Sequence, residues 1–355
     1  MTNQEALERA RQQREQMLLA GGEKRIESQH AKGKLTARER IEYFLDEGSF
    51  VEHQPYITGR STGMGMEKKR FLGDGVISGS GTVYGKQVYL FAQDFTVLGG
   101  SLGEMHAERI AEAQRLAIRN RTPFVQINDS GGARIQEGVL SLQGYAKIFR
   151  NNTLASGVIP QISVILGPCA GGAAYSPAIT DFICMVDNVS SMYITGPNVI
   201  KAVTGEDIDQ EGLGGAKTHA AKSGNVHFRF QSEEECLQFL QVLLTYLPAN
   251  NEEEAPISEC DDPLDRETPE IMELLPDNPR AVYDVRDVIG TVFDRDSFLE
   301  VHADFAVNVV VGFAKLAGRT VGIFANQPKF YAAALDINAS DKAARFIRFC
   351  DCFNI

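Results

Sequence analysis

The chain has 355 residues, 43% of them hydrophobic and 23% charged, with a formal net charge of −12 and a pI near 5.1. That length suggests two domains, or one and a half, and the apolar content suffices for a core and excludes global disorder. The acidity argues against nucleic-acid binding.

Six cysteines (Cys169, Cys184, Cys236, Cys260, Cys350, Cys352) form no paired framework and no C-x-x-C, which points to a reduced, cytoplasmic setting. The N-terminus is charged and lacks an apolar signal core. No apolar run reaches the ~18 residues a bilayer span needs, so this chain is not expected to insert into a membrane.

Residues 3–19 read as a surface helix, stopped by Ala20-Gly21-Gly22. Residues 23–40 hold a basic island of Lys24, Arg25, Lys32, Lys34, Arg38 and Arg40, readable as a solvated face or as a contact for phosphates or an acidic partner. Within it, Thr36 and Glu39 have the spacing of a helix capping box. Residues 75–92 read as strands broken at Gly79–Gly81 and hairpinned at Gly85–Lys86. A helix follows, with Ile110, Ala113, Leu116 and Ala117 at helical spacing. Pro123 opens the strand PFVQIND, which runs into SGGARIQEG.

Ile162 to Leu166 reads as another short buried strand, followed by Gly171-Gly172 and a small-residue helix over 173–183, which Pro177 kinks or delimits. Strand, glycine turn and helix alternate, which is α/β layering. Residues 195–227 are loop-rich and 232–247 read as a helix with an acidic start. The acidic stretch 250–280 holds five of the thirteen prolines and reads as a linker. The expected domains are 1–250 and 281–355, joined by 251–280.

After the linker the pattern repeats. FLDEGSFVEH (44–53) resembles VFDRDSFLEV (292–301), and YGKQVYLFAQD (84–94) resembles AGRTVGIFANQ (317–327). Aligning Gly85 with Gly318 gives an offset of 318 − 85 = 233, which also pairs Ala107 with Ser340 and Thr122 with Ile355. This is an internal duplication of a domain. The second copy stops before any counterpart of the two glycine turns, so the repeat points to a fragment of a longer protein.

Gly171-Gly172, between a strand and a helix start, leaves unhindered backbone N–H groups at the positive end of a helix, suited to an anion or a developing oxyanion. No nucleophile or base lies in the turn. Ser130-Gly131-Gly132-Ala133-Arg134 follows a neighbouring buried strand, and the two turns could aim N–H groups at one oxygen. Two ordinary tight turns are the alternative.

Gly99-Gly100-Ser101-Leu102-Gly103 matches the G-x-S-x-G nucleophile elbow, which would require a base among His106, His219, His227 and His302. Tyr175 is either a polar contact or a packing aromatic. No metal site is expected from the scattered histidines, and neither a phosphate-binding nor a dinucleotide-binding glycine loop occurs.

Together QDFTVLGGSLGEMH, INDSGGARIQEG, GPCAGGAAYSPA, YITGPNVIKAVTGE and LDINASDKAARFIRFCDCFNI resemble the carboxyltransferase (beta) subunit of biotin-dependent acyl-CoA carboxylases, from about Gly21 to Ile355. The resemblance implies a crotonase-like ββα superhelix of the α/β class, one complete domain and the first part of a second. It implies acyl-CoA on the first domain, biotin delivered by a carrier protein to the second, a biotin carboxylase subunit as partner, and a homo-hexamer. Gly171 and Gly172 become the catalytic oxyanion turn. Ser130, Gly131, Gly132, Ala133 and Arg134, with Ala170 and Ala173, become acyl-CoA contacts.

In that family biotin serves as the base. Ala333 departs from the usual glycine, at a cost in stability if its φ is positive. A methylmalonyl-CoA decarboxylase alpha subunit belongs to the same family. A serine hydrolase using Ser101 and a non-catalytic CoA-binding fragment are alternatives of other classes.

Overall fold

The structure is a computed structural model and describes residues 2–263, 265–278 and 280–355. It divides into two compact units, one of residues 1–216 and 229–241, the other of residues 217–228 and 242–355.

The first unit begins with helices α1 (Asn3–Leu19), α2 (Glu23–His30) and α3 (Ala37–Phe44). The expected capping box closes α3: the Thr36 hydroxyl accepts from the Glu39 N–H at 3.3 Å and the Glu39 carboxylate from the Thr36 N–H at 2.7 Å.

Strands β1 (Val51–Glu52), β2 (Val76–Val83), β3 (Lys86–Gln93), β4 (Phe124–Ser130), β5 (Gln161–Ala170), β6 (Phe182–Val186), β7 (Ser191–Tyr193) and β8 (Phe228–Phe230) form one sheet. Its order is β1-β2-β3-β4-β5-β6-β8, with β7 beside β5. β2 and β3 form the expected hairpin, but it turns at Tyr84 and Gly85, both with positive φ, and Lys86 already belongs to β3; β2 is not broken at Gly79–Gly81, because its ladder to β3 runs unbroken from Val76 to Val83. From β3 to β6 neighbouring strands are parallel. Helix α4 (Glu104–Asn120) connects β3 to β4, and α5 (Val139–Ala155) connects β4 to β5.

The strand expected over 162–166 runs from Gln161 to Ala170. The helix expected over 173–183 is shorter: α6 covers Gly172–Ala178, and Phe182 already belongs to β6. Pro177 removes an N–H, and the apolar run FICMV pairs with β5, where every residue of β6 is buried. Helices α7 (Pro197–Thr204), α8 (Gln210–Gly214), α9 (Ala216–Thr218) and α10 (Glu233–Tyr246) follow.

Much of the basic island turns inward. Lys34 Nζ donates to Asp129 Oδ2 at 2.6 Å, and Arg40 Nη1 donates to the same oxygen at 3.0 Å. Arg40 also donates to both Glu233 oxygens at 2.8 Å. Arg38 pairs with Glu52 at 2.8 Å, and Arg25 donates to the Thr96 carbonyl at 2.9 Å. Lys24 and Lys32 stay exposed.

The second unit carries α11 (Ile271–Leu274), α12 (Val285–Val292), α13 (Ile337–Cys352) and a sheet ordered β11-β10-β9, from β9 (Leu299–Val301), β10 (Val309–Leu316) and β11 (Arg319–Asn326). Residues 251–280 include α11 and an Ile257–Arg319 bridge.

The duplication extends to individual hydrogen bonds. Asp46 accepts from the N–H groups of Tyr84 and Gly85, and Asp294 from those of Ala317 and Gly318. The Ser49 hydroxyl accepts from the Thr82 N–H, and Ser297 from that of Lys315. On the crossover helix, Arg109 donates to the carbonyls of Gly73 and Val76; at offset 233, Lys342 donates to those of Ala306 and Val309.

The left-handed run Leu98-Gly99-Gly100 reappears as Tyr331-Ala332-Ala333, where Ala333 has φ 60°. His227 and His302 are both buried and stack at 4.1 Å.

Three outcomes are expected. Arg40→Met leaves two buried carboxylates short of their counter-charge and lowers stability by about 3–5 kcal/mol, read as a shift in the urea midpoint. Ala333→Gly relieves left-handed strain but adds unfolded-state entropy, so a gain of about 0.5–1 kcal/mol is expected in the same assay.

Burial pushes both imidazoles below their usual 6.5, His302 to about 3. The unfolded chain therefore binds more protons, so this contribution is complete above about pH 6.5 and is lost as pH falls toward about 3. In thermal melts across that window, His302→Gln should show a shallower loss than wild type. Equal slopes would remove His302 from the account.

Candidate functional site

β4 and β5 pair in register from Phe124–Gln161 to Asn128–Ile165, then slip, so that Ser130 pairs with Cys169. Because the strands are parallel, both glycine turns leave the sheet at the same end. They also touch: a Cβ on Gly132, whose φ is +98°, would lie 2.7 Å from the Ala170 carbonyl oxygen. No other residue type fits there without moving the second turn.

Hydrogen bonds fix the first turn. Ser130 Oγ donates to the Gly100 carbonyl at 2.7 Å and accepts from the Gly132 N–H at 3.1 Å. The Gly131 N–H donates to Gly99 at 3.0 Å, and the Arg134 N–H to Leu102 at 3.0 Å. The Arg134 side chain is buried, paired with Asp74 and Glu137 at 2.7 Å each and donating to the Ser101 carbonyl at 2.9 Å. It braces the turn from within. What the turn leaves free, among the described residues, is the Ala133 N–H.

In the second turn, Gly171 has φ 57° and its N–H donates to the Tyr193 carbonyl at 3.0 Å. The N–H groups of Gly172 and Ala173, the first two residues of α6, have no partner among the described residues. A helix start leaves such groups unsatisfied and slightly positive. Ala133, Ala170, Gly171 and Gly172 are half-buried, and the strands behind them are closed. Thus all the sequence-predicted residues come together at one end of the sheet, where β4 and β5 finish. Their free donors are the N–H groups of Ala133, Gly172 and Ala173.

Ionisable side chains around the turns are unsuited to proton removal. Burial pushes the Cys169 thiol and the Tyr145 hydroxyl well up. Glu137 accepts from Arg134 and from the Glu104 N–H. Tyr175 is 43% exposed and lies edge-on to Phe149 at 6.2 Å.

At the G-x-S-x-G motif, Ser101 Oγ donates to the Leu98 carbonyl at 2.8 Å. His106 is buried against Asp74 and Gln93, and burial holds it well below the usual imidazole range. No Ser101–histidine hydrogen bond occurs among the described residues, which removes the support for a nucleophile elbow. A separate pocket, lined by Met17, Ile26, Leu72 and Asp94 among others, includes neither turn.

Sequence reasoning missed three supports of the site. Asp129 is the anion to which Lys34 and Arg40 turn, Tyr193 supplies the carbonyl that fixes Gly171, and Tyr145 packs its ring against Gly172. Only Asp129 carried a signal: a charged residue at the end of an otherwise buried strand requires a counter-charge.

The carboxyl transferase domain model matches residues 28–355. The chain is 54% identical over 354 residues to methylmalonyl-CoA decarboxylase subunit alpha of Veillonella parvula, covering 100% of this chain and 70% of that one. It is 55% identical over 355 residues to the propionyl-CoA carboxylase carboxyltransferase subunit of Haloferax mediterranei, covering 100% and 69%. Among solved structures, hexameric transcarboxylase 12S with methylmalonyl-coenzyme A and methylmalonic acid bound superposes with a TM-score of 0.97 at 48% identity, over 100% of this chain and 69% of that one. These matches span both units, so the chain belongs to the carboxyl transferase domain family and is a carboxyltransferase of the propionyl-CoA carboxylase and transcarboxylase kind.

Proposed function

We propose that the first unit binds a short acyl-CoA such as propionyl-CoA and that a carboxyl group moves between biotin and the acyl α-carbon through an enolate held by backbone N–H groups. The observation that carries this reading is the set of unpartnered donors, Gly172, Ala173 and Ala133, at the joined ends of two parallel strands. Fixed dipoles of this kind stabilise charge that develops on a thioester oxygen without reorganising at the moment of reaction.

Gly171, tied to Tyr193, sets the direction of the turn, and Gly172 donates to the oxyanion. Ser130, Gly131, Gly132 and Ala133 form the facing wall of the acyl-CoA site. Ala170 and Ala173 flank the oxyanion turn, and Arg134 acts from behind it.

Carboxybiotin, brought on a carrier protein and charged by a biotin carboxylase subunit, supplies the carboxyl group and the base. The donor set fits such an external base, since Cys169, Tyr145 and Glu137 are buried or already engaged. The chain's own part is to orient the α-carbon and hold the enolate oxygen. Resemblance to hexameric transcarboxylase 12S supports a homo-hexamer. Cysteines without disulfides support a cytoplasmic setting. No described helix is long and apolar enough to cross a membrane.

The same site serves the reverse direction, from acyl-CoA to biotin, and the 54% identity to a methylmalonyl-CoA decarboxylase subunit favours keeping that reading.

Gly172→Pro tests the assignment, because proline suits the first position of a helix yet deletes the N–H. In the assembled enzyme, turnover should fall about 10²–10³-fold, the usual loss for one oxyanion donor. In calorimetric titration of the chain with propionyl-CoA, saturable binding should weaken in the variant. Wild-type turnover with an intact fold would overturn the role of Gly172.

A further inference from the structure

Tyr145 lies on the face of α5 that packs inward, together with Ser141 and Ile148. A Cβ built on Gly172 would sit 2.8 Å from Cδ2 and Cε2 of this ring and 3.0 Å from Cγ. The φ of Gly172 lies outside the left-handed region, so the backbone would accept any residue. The Tyr145 ring excludes a side chain there. At the other end of the ring, the hydroxyl is buried beside Ser130 (the residue is 5% exposed). Ser130 is the residue that ties the first turn to Gly100. Tyr145 is therefore flanked by one turn at its ring and by the other at its hydroxyl.

We propose that Tyr145 is a positioning residue for carboxyl transfer: it sets the Gly172 N–H against the Ser130–Arg134 turn. The proposal rests on the enolate reading above. Tyr145 acts through Gly172. A tyrosine ring is rigid, with few torsions to yield, and a packed interior transmits small displacements. A misplacement of about 1 Å at a reacting centre can cost 10²-fold in rate. Outward from the site, Phe149 at 5.7 Å continues the aromatic contact to Tyr175.

The test is a double-mutant cycle on kcat and KM for propionyl-CoA in the assembled enzyme, with Gly172→Ala, Tyr145→Ala and both together. Each variant is first checked by circular dichroism, and Tyr145→Leu replaces Tyr145→Ala should the latter not fold. Gly172→Ala keeps the N–H, so its effect reports the collision with the ring. With Tyr145 present it should lower kcat about 10–100-fold while KM moves by less than about 3-fold. With Tyr145 removed, the same change should lower kcat by less than about 3-fold.

Tyr145→Phe, which keeps the ring, should retain more turnover than Tyr145→Ala. Equal losses from Gly172→Ala in the two backgrounds overturn the proposal. Gly172→Pro in the Tyr145→Ala background, where no ring meets its Cβ, separates the two levels: if it abolishes the remaining turnover while the cycle is additive, only the role of Tyr145 falls. If it leaves turnover intact, the enolate reading falls and the proposal with it.

Discussion

The arrangement of the first unit depends on one buried carboxylate. Asp129 is fully buried at the end of β4, and its Oδ2 accepts from Lys34, Arg40 and Gln29. Arg40 is in turn held by both oxygens of Glu233 and donates to the Leu166 carbonyl. Burial opposes the charge on Arg40, but Glu233 and Asp129 outweigh it and raise its pKa; on Lys34 burial wins and the pKa is lowered. A buried charge without its partner is strongly unfavourable. The cluster therefore fixes α3, β4, β5 and α10 relative to one another, one residue before the first glycine turn begins.

From that fixed end of β4 the chemistry follows. Two parallel strands deliver two turns to one end of the sheet, and most of the turns' donors already have acceptors: Ser130 Oγ takes Gly132, Gly99 takes Gly131, and Tyr193 takes Gly171. The few N–H groups left over are held by structure that is already formed. Such preset dipoles suit the oxyanion role proposed for the turns. That role needs no perturbed side-chain base, and the buried histidines, His106, His227 and His302, are used in packing.

The second unit repeats the same framework with different residues. Arg109 and Lys342 do the same work, drawing together carbonyls that precede a β-hairpin, although burial pulls the Lys342 ammonium down to about 8. The left-handed run that uses Gly99 and Gly100 in the first unit uses Ala332 and Ala333 in the second. The second unit holds this geometry without the glycines that make it easy.

By itself the sequence determined the alternation of strand, turn and helix, the hairpins, the duplication and the family, because those depend on local periodicity, on glycine placement and on matched segments. It also located both glycine turns. Which N–H groups remain free was decided only by tertiary structure. The bond from Gly171, in the turn after β5, to Tyr193 on β7 is one that no local rule predicts. The end of α6 at Ala178 was likewise set by pairing of β6 with β5, which overrides a small-residue run that reads as helix. The basic island looked like a surface because charge is read locally, whereas its acceptors, Asp129 and Glu233, lie 89 and 193 residues from Arg40. The role given to Tyr145 has the same origin: its ring meets Gly172 only because α5 is laid across the ends of two strands, a contact that spacing along the chain does not encode.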